Sequence, residues 1–205
     1  AGLSYKIVAG VLALGVPTSI IGIILILKHA LPLNEYQYKR IYSWLQPSKY
    51  ADDAYQQQNS IMAIGSGQLW GKGLNNSSIA SMKNGNFISE PQTDFIFAVV
   101  GEELGFIGCV IVIVLLLLIV FECILIAKNA KDLGGRLICC GMAALIGFQS
   151  FINICVTTGL MPNTGLPLPF VSYGLTSLMS LFIGLGLVLN VGLQARKYHG
   201  LGDIE

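Results

Sequence analysis

Histidine and formal charge are both scarce in this chain. Only His29 and His199 are present, and between Arg136 and Arg196 there is no Asp, Glu, Lys or Arg. Two imidazoles offer little to metal ligation or histidine-based catalysis. The net charge is +1 and no basic run occurs, so nucleic-acid binding has no electrostatic footing. The five cysteines (Cys109, Cys123, Cys139, Cys140 and Cys155) lie inside apolar runs without CxxC spacing, and read as small hydrophobes on helices. Charged residues make up 11% of the 205 positions and hydrophobic residues 54%, where a soluble domain carries roughly 25% charge. A water-soluble domain of this size keeps too much of its surface wet to hide that composition. The expected fold class is therefore all-α, a polytopic membrane protein.

Four apolar stretches reach the roughly 20 residues that a bilayer core needs in a helix: about 7–27, 104–127, 137–161 and 171–195. Pro17 is expected to kink the first, and Pro162, Pro167 and Pro169 separate the third from the fourth. Glu122 is the one charged residue inside a span. Orientation follows from short-loop cations. Lys128, Lys131 and Arg136 join spans two and three, Arg196 and Lys197 follow span four, and Lys6 precedes span one. All three regions fall on one side, so both termini are expected to be cytoplasmic. The organisation is then a transmembrane helix over 1–27, an extracellular loop with interfacial helices over 28–103, and three transmembrane helices with a short tail over 104–205. The chain begins at Ala1, and Lys6 precedes a run too long for a cleavable signal, so the start is expected to be a boundary within a longer protein.

The long loop is expected to carry function or short helices of its own. Residues 36–45, with Tyr36, Tyr38, Tyr42 and Trp44 beside Lys39 and Arg40, suit a helix in the headgroup layer. Residues 60–64 form a short apolar patch that could dip into the membrane. Gly65-Ser66-Gly67 and Gly71-Lys72-Gly73 do not meet the Walker spacing, which leaves a tight backbone turn or a pyrophosphate contact through Lys72.

The stretch from Glu90 to Phe97 is more informative. Pro91 favours a turn and Thr93 can cap a helix, which would place Asp94 at a helix start on the edge of an apolar run. Such a carboxylate either complements the helix dipole or, partly desolvated beside Phe95 and Phe97, serves as a general base. Glu102 and Glu103 follow, as interfacial carboxylates or as lining of the same cavity. Gln149, Asn153 and Thr157 recur every fourth residue, a polar stripe suited to interhelical hydrogen bonds; Ser180 and Gly184 have the spacing of close helix packing.

Two long motifs resemble those of the SEDS family, the shape, elongation, division and sporulation proteins: Gln92-Thr-Asp-Phe-Ile-Phe-Ala-Val-Val-Gly-Glu-Glu-Leu-Gly105 and Met161-Pro-Asn-Thr-Gly-Leu-Pro-Leu-Pro-Phe-Val-Ser-Tyr-Gly174. Arg40-Ile41, Trp44-Leu45, Pro47, the run from Ala63 to Gly73, and Phe151-Ile-Asn153 occur in the family's order. Where the family continues with Gly-Ser-Ser, this chain has Leu175-Thr176-Ser177. Thr164, where some division members carry lysine, points to the elongation or sporulation branch.

The resemblance implies the last four of ten spans of a peptidoglycan glycosyltransferase in the bacterial plasma membrane. Its substrate would be lipid II, polymerised into glycan strands for cell-wall synthesis. Asp94 matches the family's essential extracellular aspartate and would be the catalytic base. Lys72, Glu102, Glu103, Thr164, Ser172 and Tyr173 are the candidate substrate-binding residues. A divalent cation, Mg²⁺ or Mn²⁺, is the implied cofactor. The implied partners are membrane lipids, a class B penicillin-binding transpeptidase and other elongation or division proteins. Two rivals stay open: a lipid II flippase, which should place ionisable groups near mid-bilayer, and a non-catalytic fragment that serves as a transpeptidase partner.

Overall fold

Side-chain caps and glycines set where the helices of this protein begin and end. The computed structural model describes residues 34–74 and 92–199, and of the first hydrophobic stretch residues 13–15, 17, 18, 22 and 25, all helical. The expected span over 7–27 thus lies mostly outside the described residues, as do Glu90 and Pro91. Among the described residues there are helices and no strands: α1 (Glu35–Leu45), α2 (Ala51–Ser66), α3 (Ile96–Asn129), α4 (Leu133–Thr157) and α5 (Leu175–His199). α3, α4 and the Leu175–Gln194 part of α5 are long and apolar enough to cross a membrane. The protein is an all-α polytopic membrane protein.

α1 starts at Asn34, whose backbone N–H donates to the Gln37 side chain at 3.3 Å in a capping-box arrangement. Stacked rings of Tyr38 and Tyr42, then of Tyr42 and Tyr50, carry the chain from α1 into α2. Residues 60–64, the short apolar patch, lie within α2. Ala54, Gln57, Ser60 and Ala63 recur at helical spacing and are buried, a face of small and polar groups that lets α2 lie close against its neighbours.

α4 opens on Asp132, whose carboxylate accepts from the Gly135 N–H at 3.1 Å. It ends at Thr157, short of the expected 161. Gly159 takes φ +80°, Leu160 N–H donates back to the Cys155 carbonyl at 2.7 Å, and Gly159 N–H to that of Val156 at 3.1 Å. This is a Schellman close, and glycine supplies the left-handed residue it needs.

α3 begins eight residues before the expected 104 and is broken inside. Gly105 has φ +66° and ψ −163°. In an unbroken helix the N–H groups of Phe106 and Ile107 would bond the carbonyls of Glu102 and Glu103. Here they donate to Gln68 and Leu69 at 2.8 and 3.3 Å, while Glu102 and Glu103 carbonyls accept from Lys72 and Gly73 at 2.9 and 3.0 Å. The segment after α2 therefore acts as a strap that exchanges hydrogen bonds with the opened helix. The close approach needs glycine: a Cβ on Gly105 would strike the backbone of Leu69 and Gly71. The break also answers a length problem, since 34 residues make a helix of about 51 Å against a hydrocarbon core of about 30 Å.

Three clusters fill the interior. Ala63, Phe95, Ala98 and Val156 join α2, the turn before α3, and α4. Phe97, Cys109, Leu116 and Leu168 join α3 to the loop before α5. Cys123, Ala127, Cys139, Ala143 and Val188 hold α3, α4 and α5 at their other end. The cysteines are free thiols, and only Cys140 is exposed. Gly184 does pack closely, against Met142, whereas Ser180 is exposed and bonds its own helix.

Gly105→Ala should cost about 2 kcal/mol or more, from positive-φ strain together with the clash against the strap. Thermal unfolding in detergent checks it, with Gly186→Ala, which meets nothing within 4 Å, expected to be near neutral.

Candidate functional site

The connection from α4 to α5 is irregular backbone at the end of membrane helices, where every peptide group needs a partner. Side chains from three helices supply them. In the polar stripe of α4, expected to bridge to another helix, Gln149 and Asn153 turn to this loop, while the Thr157 hydroxyl donates to the Asn153 and Ile154 carbonyls of its own helix. Gln149 donates to the Pro167 carbonyl at 2.9 Å, and Asn153 to that of Leu166 at 2.7 Å. From α2, Gln57 donates to the Val156 and Met161 carbonyls at 2.8 and 2.7 Å, and Ser60 to that of Thr157 at 2.9 Å. These bonds also satisfy the last carbonyls of α4, which have no partner within the helix.

α1 contributes Tyr36, Arg40 and Trp44, spaced by four and so on one face. The Trp44 indole donates to the Gly159 carbonyl at 2.8 Å, and Arg40 Nη1 to the Asn163 carbonyl at 3.0 Å. Arg40 Nη2 bonds the Tyr36 hydroxyl, and the guanidinium carbon stands 4.5 Å from the centre of the Tyr36 ring. Arg40 and Trp44, on the helix expected in the headgroup layer, clamp the loop.

Asp94 sits in the turn 92–95, just ahead of α3, rather than opening the helix under a Thr93 cap; the residue at the N-cap is Phe95. Phe95 and Phe97 are buried in two different clusters and anchor the turn from both sides. Its main chain is tied at three successive residues, twice to the loop and once to α4. Tyr173 N–H donates to the Gln92 carbonyl at 2.9 Å, Ser172 Oγ to that of Thr93 at 2.6 Å, and Asn153 Nδ2 to that of Asp94 at 2.8 Å. The Asp94 carboxylate is half-buried beside Gly165, whose φ is +70°. A Cβ on Gly165 would stand 3.5 Å from Asp94 Oδ2 and 3.9 Å from Arg40 Nη2, so both groups border one gap.

The other candidates fall into two sets. Thr164 and Tyr173 lie on the loop with exposed side chains, while Ser172 is buried and braces it, accepting from Leu168 N–H at 2.7 Å. Lys72, Glu102 and Glu103 belong to the strap and the opened turn of α3. Glu102 is buried and its carboxylate takes the Lys72 ammonium at 2.9 Å; Glu103 is half-buried. The amides of Gly71, Lys72 and Gly73 all donate to protein carbonyls. The tight turn was thus the better of the two readings of this glycine-rich run. Arg40, Asn153 and Gln57 were not singled out for the site, although Arg40 and Asn153 fall within the motif pieces.

No group of three His, Cys, Asp or Glu that could hold a metal ion occurs among the described residues. At the loop Asp94 is one carboxylate, which fits only a mode in which phosphates and water supply the remaining ligands, as is usual for Mg²⁺.

Two outcomes test this geometry. Ser172→Ala should cost about 2 kcal/mol, because both the Leu168 N–H and the Thr93 carbonyl lose a buried partner; faster hydrogen exchange at the Leu168 amide reads it directly. Lys72→Met should destabilise more than the double substitution with Glu102→Gln, since the single change takes the facing ammonium from a buried carboxylate; a double-mutant cycle in thermal unfolding decides it.

Residues 1–197 match the FtsW–RodA–SpoVE family, described as cell cycle proteins. The chain is 41% identical over 162 residues to stage V sporulation protein E of Bacillus subtilis (strain 168), covering 78% of this chain and 43% of that protein. It is 39% identical, with 78% and 43% covered, to a probable peptidoglycan glycosyltransferase FtsW of Geobacter sp. (strain M18). A solved structure of a peptidoglycan synthase complex that coordinates polymerization and crosslinking resembles it with a TM-score of 0.61 at 30% identity, over 93% of this chain and 49% of that one. The chain spans less than half the length of these relatives. Their names do not single out the elongation branch. With both long motifs assembled around one turn and one loop, the chain belongs to the FtsW–RodA–SpoVE family, the SEDS proteins.

Proposed function

We propose that the protein carrying this chain is a peptidoglycan glycosyltransferase that polymerises lipid II, with Asp94 as its base. The observation that carries this reading is the fixation of Asp94. Three consecutive carbonyls around it are hydrogen-bonded to α4 and to the loop before α5, and its carboxylate is left at the edge of a gap. A base must hold its geometry against the reacting hydroxyl, and rigid support of this kind is what keeps it there.

In the reaction, the 4-hydroxyl of the acceptor's terminal GlcNAc attacks C1 of the donor's MurNAc. A new C1–O bond forms as the bond from C1 to the lipid diphosphate breaks, the diphosphate leaves with the electron pair, and the hydroxyl proton passes to Asp94. Displacement on one face inverts that carbon. Thr164, Tyr173 and Glu103 are the substrate contacts of this reading. Ser172, Lys72 and Glu102 act through the backbone they hold. A divalent cation, Mg²⁺ or Mn²⁺, would offset the charge of the diphosphate when bound.

The site lies where α3 and α5 begin and α4 ends, and Lys128, Lys131 and Arg136 lie at the opposite end. By the distribution of cations that end is cytoplasmic, so Asp94 faces outward from the bacterial plasma membrane, with both termini inside. An apolar groove of about 540 Å³ between α3 and α4, lined by Val120, Ile124, Ala143, Gly147, Phe148 and Phe151, has the character of a berth for a lipid tail. The likeness to a peptidoglycan synthase complex supports a penicillin-binding transpeptidase as partner. Thr164 favours the elongation or sporulation branch. Among the described residues the one charge inside a span, Glu122, is exposed near the Lys128 end of α3 and away from mid-membrane, which favours surface chemistry over a flippase.

In the complete protein, Asp94→Asn should lower the rate of glycan-strand formation from purified lipid II by about 100-fold or more while lipid II binding persists. Strands made at the unmutated rate would remove Asp94 as base; lipid II flipped in vesicles without any polymer from the unmutated protein would favour the transporter.

A further inference from the structure

We propose that Arg40 binds the diphosphate of the lipid-linked donor, at the gap beside Gly165 that it shares with Asp94. The assignment rests on the glycosyl-transfer reading of Asp94 and adds to it a protein cation for the departing diphosphate.

The leaving group carries growing negative charge, and the cation that meets it must lie near the base. Lys72 is poorly suited, because its ammonium is bound to a buried carboxylate, Glu102, 2.9 Å away. Lys39 and Lys49 are exposed on α1 and the turn after it. Arg40 is half-buried and held on two sides, by the Asn163 carbonyl at 3.0 Å and by the Tyr36 hydroxyl, with its plane against the Tyr36 ring. Two of the five N–H donors of a guanidinium take part in these bonds, and the fork stays able to pair with phosphate oxygens in a bidentate manner.

Gly165 explains why there is room. A side chain there would meet Asp94 Oδ2 at 3.5 Å and Arg40 Nη2 at 3.9 Å, and the positive φ of +70° admits glycine. The missing Cβ leaves a small gap with a carboxylate and a guanidinium on its border. A donor seated over Gly165 would meet both charges its chemistry needs. The carboxylate takes the proton from the attacking hydroxyl, and the guanidinium meets the oxygen that departs with the electron pair. Because the same guanidinium bonds the Asn163 carbonyl, the loop and the cation are set together.

The test measures binding to the complete protein in nanodiscs of a polyprenyl diphosphate and of the polyprenol of equal chain length. Arg40→Met should weaken the diphosphate by about tenfold or more, the worth of a charge-assisted pair, and leave the polyprenol unchanged. Arg40→Lys should recover part of the loss. Asp94→Asn should hold the diphosphate at least as tightly as the unmutated protein, since a negative charge leaves the gap. Equal weakening of both lipids by Arg40→Met would mean that Arg40 only braces the loop, and unchanged diphosphate binding would end the proposal outright. Phosphatidylglycerol competing as well as the polyprenyl diphosphate would make this a general headgroup site and overturn the donor assignment. Should Asp94→Asn still polymerise while Arg40→Met loses the diphosphate, the base falls and the anion site stands.

Discussion

The demand that buried peptide groups be hydrogen-bonded governs this structure more than hydrophobic packing does. Three apolar helices side by side have little reason of their own to stop at one residue or to hold an irregular loop, because lipid competes for their surfaces. What the bilayer does not tolerate is an unpaired carbonyl. The C-terminal carbonyls of α4 meet Gln57, Ser60 and the N–H groups of Gly159 and Leu160. The loop beyond them meets Gln149, Asn153, Arg40 and Trp44. α1 and α2 are therefore closing pieces for the end of the bundle, and their polar residues are chosen for reach.

The strap after α2 follows the same rule in another form. Opening a helix at Gly105 releases two carbonyls and two amides, and residues 68–73 return one partner for each. Lys72 and Glu102 then close the side of the junction with an ion pair. The glycines of this run permit backbone to lie on backbone, a use quite different from cradling a phosphate.

Asn153 stands where the two arrangements meet. It is almost fully buried, and its one amide nitrogen bonds both Leu166, in the loop, and Asp94, in the turn before α3. The carboxylate most suited to chemistry thus rests on a main chain that cannot shift without breaking buried bonds. Such rigidity suits the base proposed for this site.

Much of this was legible in the sequence. Apolar run length alone locates the three described spans, because a bilayer imposes one length on any helix that crosses it, and the absence of charge over 137–195 leaves no alternative. The two long motifs identify the family and point to Asp94. The helix over 35–45 follows from its aromatic and basic pattern and the break at Pro47. What the pattern could not carry was direction. Gln149, Asn153 and Thr157 share a face, yet spacing does not say whether that face meets a helix or a loop. Lys72 and Glu102 are thirty positions apart, and Arg40 and Asn163 more than a hundred, so neither pair exists until the chain has folded. Composition and periodicity report what each segment must bury. Only the tertiary structure decides which distant donor each buried carbonyl receives, because that choice depends on where the ends of separate helices come to rest.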